Sequence, residues 1–169
     1  MKKIFLIRHA KSSWKDTTCK DLERPLNERG RRNAPMLAKR AAKKWAAPMK
    51  IFCSPAKRAV ETAEYMKTHW WKNDFCLKTS LYEKSTEFIF ELLKENKDEI
   101  DSVAYIFHNP SITSLSNLLL GNQVNHIPTC GIIVLGLPKH SWKDITPLSC
   151  KLLEFDYPKK VLNSGEIFD

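Results

Sequence analysis

The sequence predicts an α/β domain: a single-domain, three-layer sandwich whose mostly parallel central sheet of about five or six strands is flanked by helices. Three observations carry this expectation. Short apolar, β-branched or aromatic runs alternate with longer segments of helical period. Residues that cap or open helices stand between the two kinds of segment. The chain of 169 residues, 43% of them apolar, is long enough for one buried core.

In chain order, strands are expected at 3–7, 50–53, 75–78, 102–107 and 131–137, with a weaker one near 150–155. Helices are expected between them, at about 28–45, 55–70, 86–96 and 111–120. Asn27 is placed to cap the first helix. Ser54-Pro55 offers a cap and an opening proline for the second, and Ser111 after Pro110 marks the start of the fourth. Pro35 conflicts with the first helix, which must either start later or bend there. The domain is expected to occupy residues 1–158, with 159–169 left open between a C-terminal tail and a last strand.

Composition narrows the classes. The charged fraction of 28% with this apolar content excludes a disordered chain, and no apolar run approaches the roughly 20 residues of a membrane span. The run Ile4–Ile7 is shorter than the about 7–15 residues of a signal-peptide core. A cytoplasmic protein is expected, and no membrane partner. Five widely spaced cysteines with no C-x-x-C suggest neither a disulfide framework nor a zinc site. Net charge is +9, but residues 1–60 hold 17 Lys/Arg against 4 Asp/Glu, so the basic field belongs to the N-terminal third. Such a field draws anionic partners without choosing among them.

The strand ends carry the functional signal. Ligands of open α/β sheets gather beyond the carboxyl ends of the strands. The first strand ends in Arg8-His9; the second leads through Ser54-Pro55 to Arg58; the fourth ends in His108-Asn109-Pro110. Each residue has a plainer reading: a solvated strand end for Arg8, a structural histidine for His9, a surface arginine for Arg58, a turn for His108. Ser54 is explained by capping. The joint placement points to a site, and its chemistry suits phosphoryl transfer. Guanidinium forks match phosphoryl oxygens, and a neutral imidazole can attack phosphorus in line. With arginines neutralising the phosphate, no metal or other cofactor is required, and the chain has no P-loop motif. His69, His126 and His140 follow no core strand and receive no role.

FLIRHAKSS, SPAKRAVETA and FHNPSIT, in this order and spacing, resemble the signature segments of the histidine phosphatase (phosphoglycerate-mutase-like) superfamily. DLERPLNERG and TCGIIVLGLP make the chain most similar to its small, SixA-like phosphohistidine phosphatase branch, over residues 3–138. The resemblance implies that His9 is the phosphorylated nucleophile and that Arg8, Arg58 and His108 complete the phosphate pocket. It places Arg24 at the pocket rim, or else as a solvated arginine before a helix. Glu83 is the best positional match for a general acid, and equally reads as an exposed loop glutamate. Two departures stand out: Ala10 replaces the usual glycine after the nucleophile, and Lys15 stands where many relatives have asparagine. Lys15 either contacts phosphate or joins the basic surface.

The function this implies is metal-independent removal of phosphate from phosphohistidine on a protein, through a phosphohistidine at His9. The partners are then a phosphorylated protein and an oxyanion in the pocket. The alternatives are a broader phosphomonoesterase using Glu83, and a non-catalytic basic module. Nucleic acid is not an expected partner, because the chain has no RNP-like strand, helix-turn-helix spacing or zinc finger.

Overall fold

The computed structural model describes residues 1–160. Six strands are laid down in chain order: β1 (Lys2–Arg8), β2 (Lys50–Cys53), β3 (Cys76–Leu77), β4 (Ser102–Phe107), β5 (Ile132–Leu137) and β6 (Lys151–Asp156). The helices are α1 (Glu28–Lys44), α2 (Lys57–Met66), the single turn α3 (Ser80–Glu83), α4 (Thr86–Lys94) and α5 (Ser111–Leu120). Across the sheet the order is β3-β2-β4-β1-β5-β6. β1 to β4 run parallel, whereas β5 lies antiparallel to both β1 and β6. The sheet is therefore mixed, with β5 alone reversed. The C-terminal segment left open in the sequence reading lies, from residue 161, outside the described residues.

The inner strands β1, β2, β4 and β5 read as near-continuous apolar runs because both faces of the sheet are covered there. Successive side chains point to opposite faces, so Ile4 and Leu6 enter one core while Phe5 and Ile7 enter the other. The first core packs under α4 and α5 and includes Tyr105, Phe107 and Trp142. The second packs under α1 and α2, where Phe5 meets the Trp70 ring edge-on at 5.2 Å.

Asn27 caps α1 as expected, its side chain accepting from Gly30 N–H at 2.9 Å. With that cap in place the helix starts at Glu28 and continues through Pro35, which leaves the Arg31 carbonyl without its usual i+4 donor. The second helix departs from expectation. It begins two residues after Pro55, at Lys57, with Ala56 as the capping position and no side-chain cap. It then widens into a π-type turn over Lys67–Trp71 that buries Trp70 and Trp71. α5 ends on Gly121 at φ +81°, a conformation that glycine adopts without strain. Among the described residues no helix is long and apolar enough to cross a membrane.

Candidate active site

The carboxyl ends of β1 and β4 lie side by side, with Arg8 opposite Phe107 in register. Beyond them the rings of His9 and His108 face each other with centroids 5.1 Å apart. β1 lies between β4 on one side and β5 on the other, so the chain's crossovers diverge here. That is where an open α/β sheet forms its crevice.

The His9 backbone is pinned from both sides, its N–H donating to Phe107 O and its carbonyl accepting from Cys130 N–H. Its ring is buried, and Nδ1 lies 2.7 Å from the Ala10 carbonyl. A carbonyl only accepts, so Nδ1 carries the proton and the lone pair stays on Nε2. Burial pushes the imidazole pKa down to about 3; the Ala10 bond opposes this, and repulsion from His108, Arg58 and Arg8 adds to it. His9 is thus a neutral imidazole with its nucleophilic nitrogen unengaged. Ala10 fits without strain: its backbone is not left-handed, its N–H donates to Thr62 Oγ1 at 2.9 Å, and its methyl is buried.

His108 Nε2 sits 2.7 Å from Ser54 Oγ, a contact the sequence reading missed by assigning Ser54 to a cap. Ser54 Oγ also accepts from Ala56 N–H. His108 Nδ1 is a buried atom with no partner among the described residues. Burial, then repulsion from Arg58, pushes the His108 pKa down to about 4, with Asp21 opposing.

Three arginines surround the pair. Arg8 is anchored by Nη1 donating to Ile127 O at 2.8 Å, while its buried Nε has no partner among the described residues. Arg58, in the first turn of α2, donates to the Asp21 carbonyl at 2.7 Å and to Asp21 Oδ2 at 3.1 Å, and its Nε is likewise buried and unpaired. Arg24 is buried, bonded to Ser12 Oγ and Asp21 Oδ1, with Trp14 against its guanidinium 3.6 Å from the ring centroid. Arg8 Nε and Arg58 Nε are therefore two buried donors suited to an oxyanion, with His108 Nδ1 a third buried polar atom beside them.

Asp21 ties the arginines together and was not singled out from sequence. Its carboxylate also accepts from Tyr82 O–H at 2.8 Å, and the Tyr82 ring lies edge-on to His108. Burial raises the Asp21 pKa, but the Tyr82 bond and the charges of Arg58 and Arg24 prevail and hold it at about 2. The D-x-x-R spacing of Asp21 and Arg24 was visible in the sequence; the meeting with Arg58 and Tyr82 was not. Glu83 is exposed on α3, and its neighbour Tyr82 is the residue of that turn that reaches the cluster. Lys15 is exposed on the loop after β1. His126, given no role from sequence, brings Nε2 to 3.4 Å from Arg8 Nη1 and helps line a cleft of about 410 Å³ beside it. Among the described residues, no three His, Cys, Asp or Glu side chains are grouped to hold a metal ion.

Residues 4–75 match the family model of the histidine phosphatase superfamily, branch 1. An uncharacterized protein of Mycobacterium leprae is 27% identical over 165 residues, which span 90% of this chain and 100% of that protein. SixA from Agrobacterium tumefaciens superposes with a TM-score of 0.80 at 25% identity, covering 93% of this chain and 98% of that one. The protein histidine phosphatase SixA in complex with tungstate superposes with a TM-score of 0.77 at 18% identity, over 90% and 95% of the two chains.

Proposed function

We propose, for a chain that belongs to the histidine phosphatase superfamily and to its SixA-like branch, that this phosphatase acts on phosphohistidine carried by a protein and needs no metal ion. The observation that carries the reading is the Nδ1–H to Ala10 carbonyl bond of His9, which leaves Nε2 as a free, neutral nucleophile. In the first step the Nε2 lone pair attacks phosphorus. The P–N bond of the substrate breaks, its electron pair goes to the leaving imidazole, and that nitrogen is protonated from water. In the second step water attacks phospho-His9, the P–Nε2 bond breaks with its pair returning to the ring, and the water proton passes to solvent.

Arg8 and Arg58 serve as oxyanion donors, and His108 completes the pocket beside His9. Arg24 closes the rim through Asp21. Tungstate, an oxyanion of the same charge class, is held by the SixA whose fold this chain shares, which fits an oxyanion pocket.

The choice of phosphohistidine over phosphate esters rests on the proton supply. The carboxylate in the cluster is Asp21, held at about 2 and so ionised at neutral pH, which makes it a poor donor to a departing alkoxide. Imidazole leaves with far less assistance. The test compares a chemically phosphorylated histidine protein with an alkyl phosphate such as glycerol phosphate, in EDTA, for wild type and His9→Ala. Brisk phosphohistidine turnover that disappears in the variant, with slow ester hydrolysis, is expected. Turnover surviving in His9→Ala, or an ester preferred to phosphohistidine, contradicts the reading.

A further inference from the structure

Trp14 is 69% exposed, although tryptophan is among the most buried residues on average. Its position has a structural reason on one side only. One face carries the guanidinium of buried Arg24, 3.6 Å from the ring centroid. Arg24 is in turn bonded to Asp21, whose carboxylate bonds to Arg58. The exposed ring is therefore linked through Arg24 and Asp21 to Arg58 of the phosphate cluster.

The segment that carries it is a compact loop with a fixed neck and an open head. At the neck, Ser13 N–H donates to Pro25 O and Asn27 N–H to Lys11 O, while Leu26 N–H is held by Glu61 Oε2. Gly30 lets α1 approach so closely that an added Cβ would lie 2.2 Å from the Lys11 carbonyl. At the head, residues 14–18 are exposed, and so is Leu22.

We infer that the head of this loop, with Trp14 as its anchor, is the docking surface for the protein that bears the phosphohistidine. This rests on the proposed function and adds the element that selects a protein over a free phosphorylated side chain. A pinned neck means that little conformational freedom is lost on binding, and a rigid Trp beside an Arg is the pairing that dominates interface energies. Charge identifies the partner. Lys15 and Lys20 are exposed on the head, and Arg29, Arg31 and Arg32 are exposed on the adjoining turns of α1. Of the nearby acids, Asp21 is paired with the arginines, and these five basic residues outnumber exposed Asp16, Glu23 and Glu28. The surface thus fits an acidic protein with an apolar residue beside its phosphohistidine.

Trp14→Ala is the direct test, read on three substrates: free phosphohistidine, an acidic histidine protein and a basic one, each protein phosphorylated with phosphoramidate. Wild type is expected to prefer the acidic phosphoprotein. Trp14→Ala is expected to lower kcat/KM on it at least about tenfold, mainly through KM, and to stay within about twofold on free phosphohistidine. Arg24 remains held by Asp21 and Ser12 in the variant, so the phosphate pocket persists. Trp14→Phe should restore most of the loss. An equal loss on all substrates would make Trp14 a mere support for Arg24, and no loss on any would remove it from recognition; either overturns the inference. Wild type hydrolysing free phosphohistidine but neither phosphoprotein also overturns it, whereas hydrolysis of none of the three strikes instead at the proposed function.

Discussion

Lowering the pH from 7.5 to 5 is expected to remove about 4 kcal/mol of folding stability through His9 and His108 alone. In the folded chain their pKa values are pushed from the ordinary 6.5 to about 3 and about 4. Both are depressed, so the unfolded chain takes up protons that the folded one refuses. Stability is then full above pH 6.5 and is lost as the pH falls toward the folded values. Between pH 6 and 5 the slope approaches about 2.7 kcal/mol per pH unit for two protons, and each histidine contributes about 2 kcal/mol to the total. Denaturant unfolding at pH 7.5, 6.5, 5.5 and 5.0 measures it, with His9→Asn and His108→Asn for attribution. Each variant should lose roughly half of the pH dependence. Variants that keep the slope of wild type would refute the claim that both rings stay neutral in the folded chain, and with it the argument for a ready nucleophile.

Gly30→Ala is expected to cost about 1–3 kcal/mol in denaturant unfolding, because the new methyl meets backbone at Lys11 rather than a side chain that can move. An unchanged midpoint would mean that the loop neck yields freely. The buried Arg40–Asp156 pair joins α1 to β6, so Asp156→Ala should destabilise by about 3–5 kcal/mol through the charge left unpaired. The Arg40→Met, Asp156→Leu double variant should recover much of this. Glu83→Gln should change phosphohistidine turnover less than about twofold, since Glu83 is exposed and imidazole needs little acid. A loss confined to alkyl phosphates would instead make it a general acid and favour the esterase alternative.

The inner strands were legible because they are buried on both faces and read as apolar runs, so 50–53 and 102–107 are found where they were expected. The start of α1 was legible from its capping side chain at Asn27 and that of α5 from Pro110-Ser111, whereas α2, with no side-chain cap at Ala56, starts later than expected. Arg8, His9 and His108 could be grouped because each ends a strand, and a single topological rule sends strand ends to one edge. Asp21, Tyr82 and Ser54 escaped because their partners are 37, 61 and 54 residues away, and periodicity carries no information on such meetings. The one-turn helix α3 shows the limit: spacing alone could not tell that Tyr82, not Glu83, turns toward the site.

The central claim is that His9 becomes phosphorylated, and trapping that species tests it most directly. Radiolabelled phosphohistidine protein would be mixed with the enzyme, quenched in alkali within milliseconds, and the enzyme mapped by mass spectrometry. The account requires an alkali-stable, acid-labile phosphate on His9 that appears before free phosphate and is absent in His9→Asn. Turnover with no label on the enzyme, or with the label on another residue, would contradict it.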